Sequence, residues 1–298
     1  MVEYNTIILG AGISGISCAV YLKRAGISVL IVENEIPGGQ LNKIDLIENY
    51  PGYVSVSGVD LATNLMEQLS SYNIDVIYDD IKEINYDKKM VSIGNKKYSY
   101  KFLVFATGRR ERMLGLENEE RMIGRGISFC ATCDGALYKG QDVIVVGGGN
   151  SAISEAIYLS KICNKVTLIY RGDELRGEFI LKDRLLLCNN VEVIYNGVIE
   201  KYLIDDGKIV GVKLAEENAC EINGSCVFLA IGHIPNSELF VGNKKDGAII
   251  VDSFGQTSED SVYACGDVIN KEVYQLVTAS NDGVLVATDI INKTQMEN

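Results

Sequence analysis

Two stretches of this chain are versions of one another. "IILGAGISGISCAVYL" (Ile7 to Leu22) returns as "IVVGGGNSAISEAIYL" (Ile144 to Leu159), at an offset of 137 residues. Each opens with an apolar run of strand length and turns on glycine. Apolar residues three and four apart then follow, the period of one helix face. Each is followed by a second apolar run, "SVLIVE" ending at Glu33 and "KVTLIY" ending at Tyr170. Strand, tight turn, helix and second strand make a βαβ unit, and the G-x-G-x-x-G/A turn is the dinucleotide fingerprint. Glycine lets the backbone turn sharply and come close to a pyrophosphate, to which the helix N-terminus offers unpaired N–H groups. Gly10, Gly12 and Gly15 fill the pattern first; Gly147 and Gly149, with Asn150 and Ser151 opening the helix, fill it second. One such turn is weak evidence, because glycine turns also serve packing. Two in register restrict the chain to an α/β fold with two Rossmann-like domains, doubly wound and three-layered.

The copies differ where recognition is decided. Twenty-three residues after Gly10 stands Glu33, a carboxylate able to accept both hydroxyls of an adenosine ribose; 23 after Gly147 stands Tyr170, followed by Arg171. An acid there suits a free 2′-hydroxyl and a base suits a 2′-phosphate. The first copy therefore fits FAD or NAD, and the second leans to NADP, unless Arg171 and Arg176 are only a solvated basic face. Two later features need a partner sheet: "FLVFATG", carrying Ala106 and Gly108, and "SVYACGDVIN", carrying Gly266 and Asp267. The first βαβ unit is the natural partner. The second domain, 114–244, is thus expected to be inserted into a first domain made of 1–113 and 245–298.

Composition narrows the function. Net charge is −12, from 28 basic and 40 acidic residues, so nucleic acid and anionic membranes are repelled by the mean field. No apolar stretch has the length of a membrane span, and "MVEYNTIILGAG" lacks the parts of a signal peptide, which points to the cytoplasm. Of eight cysteines only Cys130 and Cys133, in "GISFCATCDGAL", have C-x-x-C spacing. A zinc site would need two more ligands, and His233 is the single histidine, so no metal is expected. Two thiols three apart can close into a disulfide, and one thiolate can resolve a mixed disulfide left by the other. Asp134, directly behind, places an acid or base within reach of the sulfur.

Taken together, "GAGISG", "GGQL", "ENYPG", "ATG", "CATCDG", "GGGNSA", "AIGHIPN" and "ACGDV" resemble the low-molecular-weight thioredoxin reductases, in that family's order and over nearly the whole chain. The resemblance implies a homodimeric flavoprotein whose inserted nicotinamide domain carries the cysteines. It implies FAD on Gly10, Gly12, Gly15 and Glu33, with Gln40, Asn49, Ala106, Gly108 and Gln275 around it and Asp267 on the ribityl chain. Cys133 would face the flavin, Cys130 would attack the disulfide of a thioredoxin, and Asp134 would manage the proton. NADPH would lie on Gly147, Gly149, Asn150, Ser151, Arg171 and Arg176.

Departures from the family pattern cluster on the donor side. NADPH-dependent members carry His-Arg-Arg-x-x-x-Arg, where this chain reads Tyr170-Arg171-Gly172-Asp173-Glu174-Leu175-Arg176. Losing one charge-assisted phosphate contact costs about 1.5–3 kcal/mol. Tyr274 stands where an arginine is usual, Asn281 replaces a small residue, and Arg109 and Arg110 fill positions that are often uncharged. Ferredoxin-flavin thioredoxin reductases, which have lost nucleotide recognition, form the main alternative. Dithiol oxidases and a redox-sensing flavoprotein without turnover are the others. The intact "GGGNSA" and surviving arginines favour NADPH.

Overall fold

In the computed structural model, residues 2–44, 46–215 and 220–296 are described. The chain divides into two units, Met1–Arg110 with Pro235–Asn298, and Glu111–Ile234. The joins were expected near 113 and 244, so the second comes earlier than the sequence suggested. Its reason is local. Asn236 already belongs to the first unit: its N–H donates to the Gly108 carbonyl, and its side chain and carbonyl pair with Thr107. Phe240 then inserts into that unit's core beside Phe105.

The first unit is built on β1 (Val2–Leu9), α1 (Ile13–Arg24), β2 (Val29–Glu33), α2 (Gly58–Ser71), β3 (Asp75–Tyr78), β4 (Ile81–Asn85), β5 (Met90–Ile93) and β6 (Lys96–Phe105). The sheet order is β3-β2-β1-β6-β5-β4, and strand Val262–Ala264 also pairs with β6. β6 is long enough to serve two partners along one edge. Lys96–Ser99 run antiparallel to β5, while Leu103–Phe105 run parallel to Val262–Ala264. Strand alternation sends Ile8 to a face packed by α1 and the C-terminal helix Leu276–Met296, and Ile7 and Leu9 to the opposite face. All five residues of β2 are buried, as a central parallel strand covered on both sides requires. The two helices approach closely at Gly283, where a Cβ would stand 2.1 Å from the Ser14 carbonyl oxygen.

The second unit has five parallel strands in the order Val191–Tyr195, Lys165–Tyr170, Asp142–Val146, Val227–Leu229, Ile127–Ser128. Helices Asn150–Ser160 and Phe179–Leu186 cover one face. Tyr202, Ile209, Val212 and Leu214 of an antiparallel sheet cover the other. The first unit shows the same division, since no residue of an α-helix joins its second cluster. Both units are α/β folds built on parallel strands, which β4 and β5 extend antiparallel in the first; in the second the third layer is antiparallel β where a doubly wound pattern puts helices. A turn signal marked the difference in the second unit. Asp206 and Gly207 both have positive φ, 45° and 70°, and link Ile199–Asp205 to Lys208–Leu214. No helix among the described residues is long and apolar enough to cross a membrane.

Candidate functional site

At the first glycine turn, β1 ends against β6. Gly10 has φ +109°, and a Cβ there would meet the Ala106 carbonyl oxygen at 2.4 Å. Gly15 is shut in likewise, 2.2 Å from the Gly10 carbonyl oxygen. Gly12 is different: nothing lies within 4 Å of its would-be Cβ, and as N-cap of α1 it offers no side chain to the helix's free N–H groups. That open, uncapped helix end suits a phosphate. Glu33, at the end of β2, is 9% exposed. Its Oε2 accepts from Ala11 N at 2.8 Å, and its Oε1 from Asn34 N at 3.0 Å and Glu35 N at 2.9 Å. Three amides fix its orientation and leave lone pairs for a diol.

The other expected cofactor residues of this unit are brought together. Gln40 Nε2 donates to the Arg109 carbonyl at 2.8 Å, and Asn49 Nδ2 donates to Gln275 Oε1 at 3.2 Å. Gly108, φ +63°, carries the chain from β6 into this cluster. Asp267 sits one residue past Gly266 (φ +77°), where a Cβ would meet Ser14 Oγ at 2.3 Å. Its Oδ1 is buried without a hydrogen-bond partner among the described residues and lies 3.5 Å from Lys271 Nζ. A buried acceptor left open beside an uncapped helix end fits a group that brings both hydroxyls and phosphate, as FAD does.

The second turn repeats the backbone and changes the chemistry. Gly147 has φ +143° and would clash with the Ala230 carbonyl oxygen at 2.2 Å, while Gly149 faces open space as N-cap of Asn150–Ser160. The ring of Tyr170 is buried against this turn. A Cβ on Gly148 would come within 2.4 Å of it, and one on Gly172 within 2.7 Å. Arg176 N donates to the Gly148 carbonyl at 2.7 Å, folding the 171–178 segment along the turn. Asn150, expected at the nucleotide, is engaged at both ends of its amide by Glu178, 2.7 Å and 2.9 Å. Ser151, Arg171 and Arg176 are exposed. Neither arginine side chain has a hydrogen bond or ion pair among the described residues, which leaves both guanidinium groups for an anion.

Cys130 and Cys133 form a disulfide with Cα atoms 5.3 Å apart. Cys130 is 6% exposed and Cys133 faces solvent. The Cys133 N–H donates to Cys130 Sγ at 3.1 Å, an interaction that strengthens if Cys130 becomes a thiolate. Ser128, two residues earlier and buried, accepts from Cys130 N at 3.1 Å and donates to Asp134 Oδ2 at 2.7 Å. It ties the expected proton carrier to the sulfur backbone, a role the sequence reading missed; a serine on a two-residue strand carries no motif.

The short helix Ala131–Asp134 packs on helix Asn150–Ser160 of the same unit. On that helix Glu155 is largely buried, and desolvation, with the Glu111 carboxylate second, pushes its carboxyl up to about 8. Cys226 is fully buried; burial pushes its thiol up to about 12, although a hydrogen bond shared with Tyr138 opposes the shift. Burial first, then the charge on Cys226, pushes Tyr138 up as well. The charge of Asp134 adds to the upward shift of both Cys226 and Tyr138.

Residues 4–283 match the pyridine nucleotide-disulphide oxidoreductase family. A thioredoxin reductase of Listeria monocytogenes is 38% identical over 292 residues, 95% of this chain and 91% of that protein. The crystal structure of the Lactococcus lactis thioredoxin reductase is similar with a TM-score of 0.92 and 32% identity, over 97% of this chain and 98% of that one. A ferredoxin-flavin thioredoxin reductase from Clostridium acetobutylicum is similar with a TM-score of 0.55 and 27% identity, over 99% of each chain.

Proposed function

The chain belongs to the pyridine nucleotide-disulphide oxidoreductases, as a flavoprotein disulfide reductase of the thioredoxin reductase kind, and we propose that it carries electrons from NADPH to a thioredoxin. FAD, when bound, supplies the relay between a hydride donor and a disulfide. The chain's own residues do the rest. The α1 N-terminus at Gly12 takes the pyrophosphate, Glu33 takes the ribose hydroxyls, and Asp267 Oδ1 takes a hydroxyl of the ribityl chain, with Gln40, Asn49 and Gln275 alongside.

Once the Cys130–Cys133 bond is reduced, one thiolate attacks the thioredoxin disulfide and releases a thioredoxin thiolate. The second thiolate then attacks the mixed disulfide, re-forming the Cys130–Cys133 bond and freeing the other thioredoxin sulfur. Asp134, steadied by Ser128, holds the proton that moves to and from the sulfur. We assign the first attack to Cys130, whose thiolate would keep the Cys133 N–H. Cys130 is the sheltered sulfur of the disulfide form, and trapping tests the assignment. Cys133→Ser should capture a thioredoxin as a mixed disulfide on Cys130, and capture only by Cys130→Ser reverses the roles. Either serine variant should retain FAD and lose thioredoxin reduction at least a hundredfold.

The observation that supports NADPH is the pair of exposed guanidinium groups of Arg171 and Arg176, unpartnered among the described residues, beside the uncapped turn at Gly149. A second reading, reduced ferredoxin as donor, is favoured by Tyr170: its ring occupies the space that a side chain at position 172 would enter. Anaerobic titration of the oxidised enzyme with NADPH, NADH and reduced ferredoxin, followed by flavin absorbance, tests both. Bleaching by stoichiometric NADPH is expected. Bleaching by ferredoxin alone overturns the donor assignment. The homodimer belongs to the same reading and is checked by light scattering on the purified enzyme.

A further inference from the structure

Two of the sequence departures meet in the first unit. Arg109 and Tyr274 are 165 positions apart in the chain, and the Arg109 guanidinium carbon lies 3.5 Å from the centroid of the Tyr274 ring. Arg109 Nε donates to the Asp267 carbonyl at 2.8 Å, and the Arg109 carbonyl accepts from Gln40 Nε2 at 2.8 Å. Through its side chain and its backbone, one residue therefore joins Gln40, Asp267 and the residue preceding Gln275.

The cations around it are each held by carboxylates. Lys271 lies on the same tyrosine ring, 5.5 Å from its centroid, and is held by Asp282 at 2.8 Å and Asp267 at 3.5 Å. Neighbouring Arg110 is exposed and paired with Glu238 at 2.6 Å. Arg109 is half-buried, with a carbonyl and an aromatic face as its partners and no carboxylate among the described residues. A partly desolvated cation that no carboxylate contacts directly favours negative charge arriving beside it. Its ring platform holds the planar guanidinium in one place, which an ammonium would not match.

We propose that Arg109, stacked on Tyr274, is the positioning and charge-setting residue of the flavin pocket: it fixes Gln40 and the Asp267 turn and raises the reduction potential of the bound cofactor. The proposal rests on the assignment of FAD to this unit. A fixed cation favours the electron-loaded form of a neighbouring cofactor over the oxidised one, and so moves the potential upward.

The test is the flavin midpoint potential, measured by equilibration of the holoenzyme with a dye of known potential, together with FAD content and the visible spectrum. Arg109→Gln should keep FAD and lower the equilibrium constant for reduction at least tenfold, about 30 mV for a two-electron couple. Arg109→Lys should recover more than half of the shift, because the charge returns without the plane. Arg109→Gln with full FAD and an unchanged potential overturns the proposal. If that variant loses its flavin, Tyr274→Leu decides: the charge stays but its platform goes, and an unshifted potential again overturns it. A wild-type enzyme that takes up no FAD would instead overturn the flavin assignment itself, and the proposal with it.

Discussion

The two glycine turns are the same piece of backbone put to different uses. Gly10 and Gly147 have positive φ and back onto a carbonyl, of Ala106 in one unit and of Ala230 in the other. Gly12 and Gly149 both face open space at the head of a helix. Twenty-three residues on, the copies part: Glu33 is an anchored carboxylate held by three amides, whereas Tyr170 is a ring pressed on Gly148 and Gly172. The helices differ as well. Position 18 is a cysteine, fully buried, and its counterpart at 155 is a carboxyl group. In the proposed reading, backbone geometry selects a dinucleotide and side chains beyond the turn select which one.

The open glycines allow the sharpest test, because a side chain there collides with nothing. Gly12→Asp puts a carboxylate where the pyrophosphate would lie and should strip FAD from an otherwise folded chain. Gly149→Asp should leave FAD in place and raise the KM for NADPH at least a hundredfold. Flavin content and steady-state kinetics separate the two. If Gly149→Asp leaves turnover with NADPH unaltered, the second turn binds no nucleotide and the comparison collapses to backbone alone.

A smaller effect is expected from the arginines. Arg171→Ala and Arg176→Ala should each raise the KM for NADPH by about one to two decades, the worth of a charge-assisted contact, and leave NADH nearly untouched. Equal losses for both nucleotides would mean that the guanidinium groups do not read the 2′-phosphate.

The smallest effect is one of stability. Glu155 has its carboxyl raised to about 8, so the folded state favours the protonated form. That contribution is full below the usual carboxylate range and fades as pH rises through about 8. The Glu111 carboxylate adds to the shift, and Cys226, itself affected by Asp134, is coupled to Glu155. Between pH 5 and 9 the wild type should lose roughly 3 °C or more of Tm relative to Glu155→Gln, read by calorimetry. Parallel pH profiles would show that Glu155 titrates as an ordinary acid. Cys18→Ala, at the matching position of the first unit, should cost stability equally across that range, since burial pushes its thiol well above its usual value.

Much of this was legible beforehand because glycine and cysteine carry their reasons locally. A left-handed φ or a close carbonyl admits only glycine, so Gly10 and Gly147 announce their turns, and C-x-x-C spacing brings two sulfurs within bonding reach. The residues that escaped have no such local requirement. Ser128 matters because it spans Cys130 and Asp134, and Arg109 because it lands on Tyr274 from the other end of the unit. The third layer escaped too, since an alternating strand does not say which sheet face it will cover.

By itself the sequence determined the two βαβ units, the insertion of one in the other, the thiol pair and the class of chemistry. Each depends on contacts within a few tens of residues or on a repeated pattern. Only the tertiary structure decided that Pro235 and Asn236 already belong to the first unit, that Tyr170 lies against its own glycine turn, and that Cys130 is the sheltered sulfur. Those outcomes depend on which distant side chains share a volume, and burial, charge balance and close approach exist only once the chain has folded.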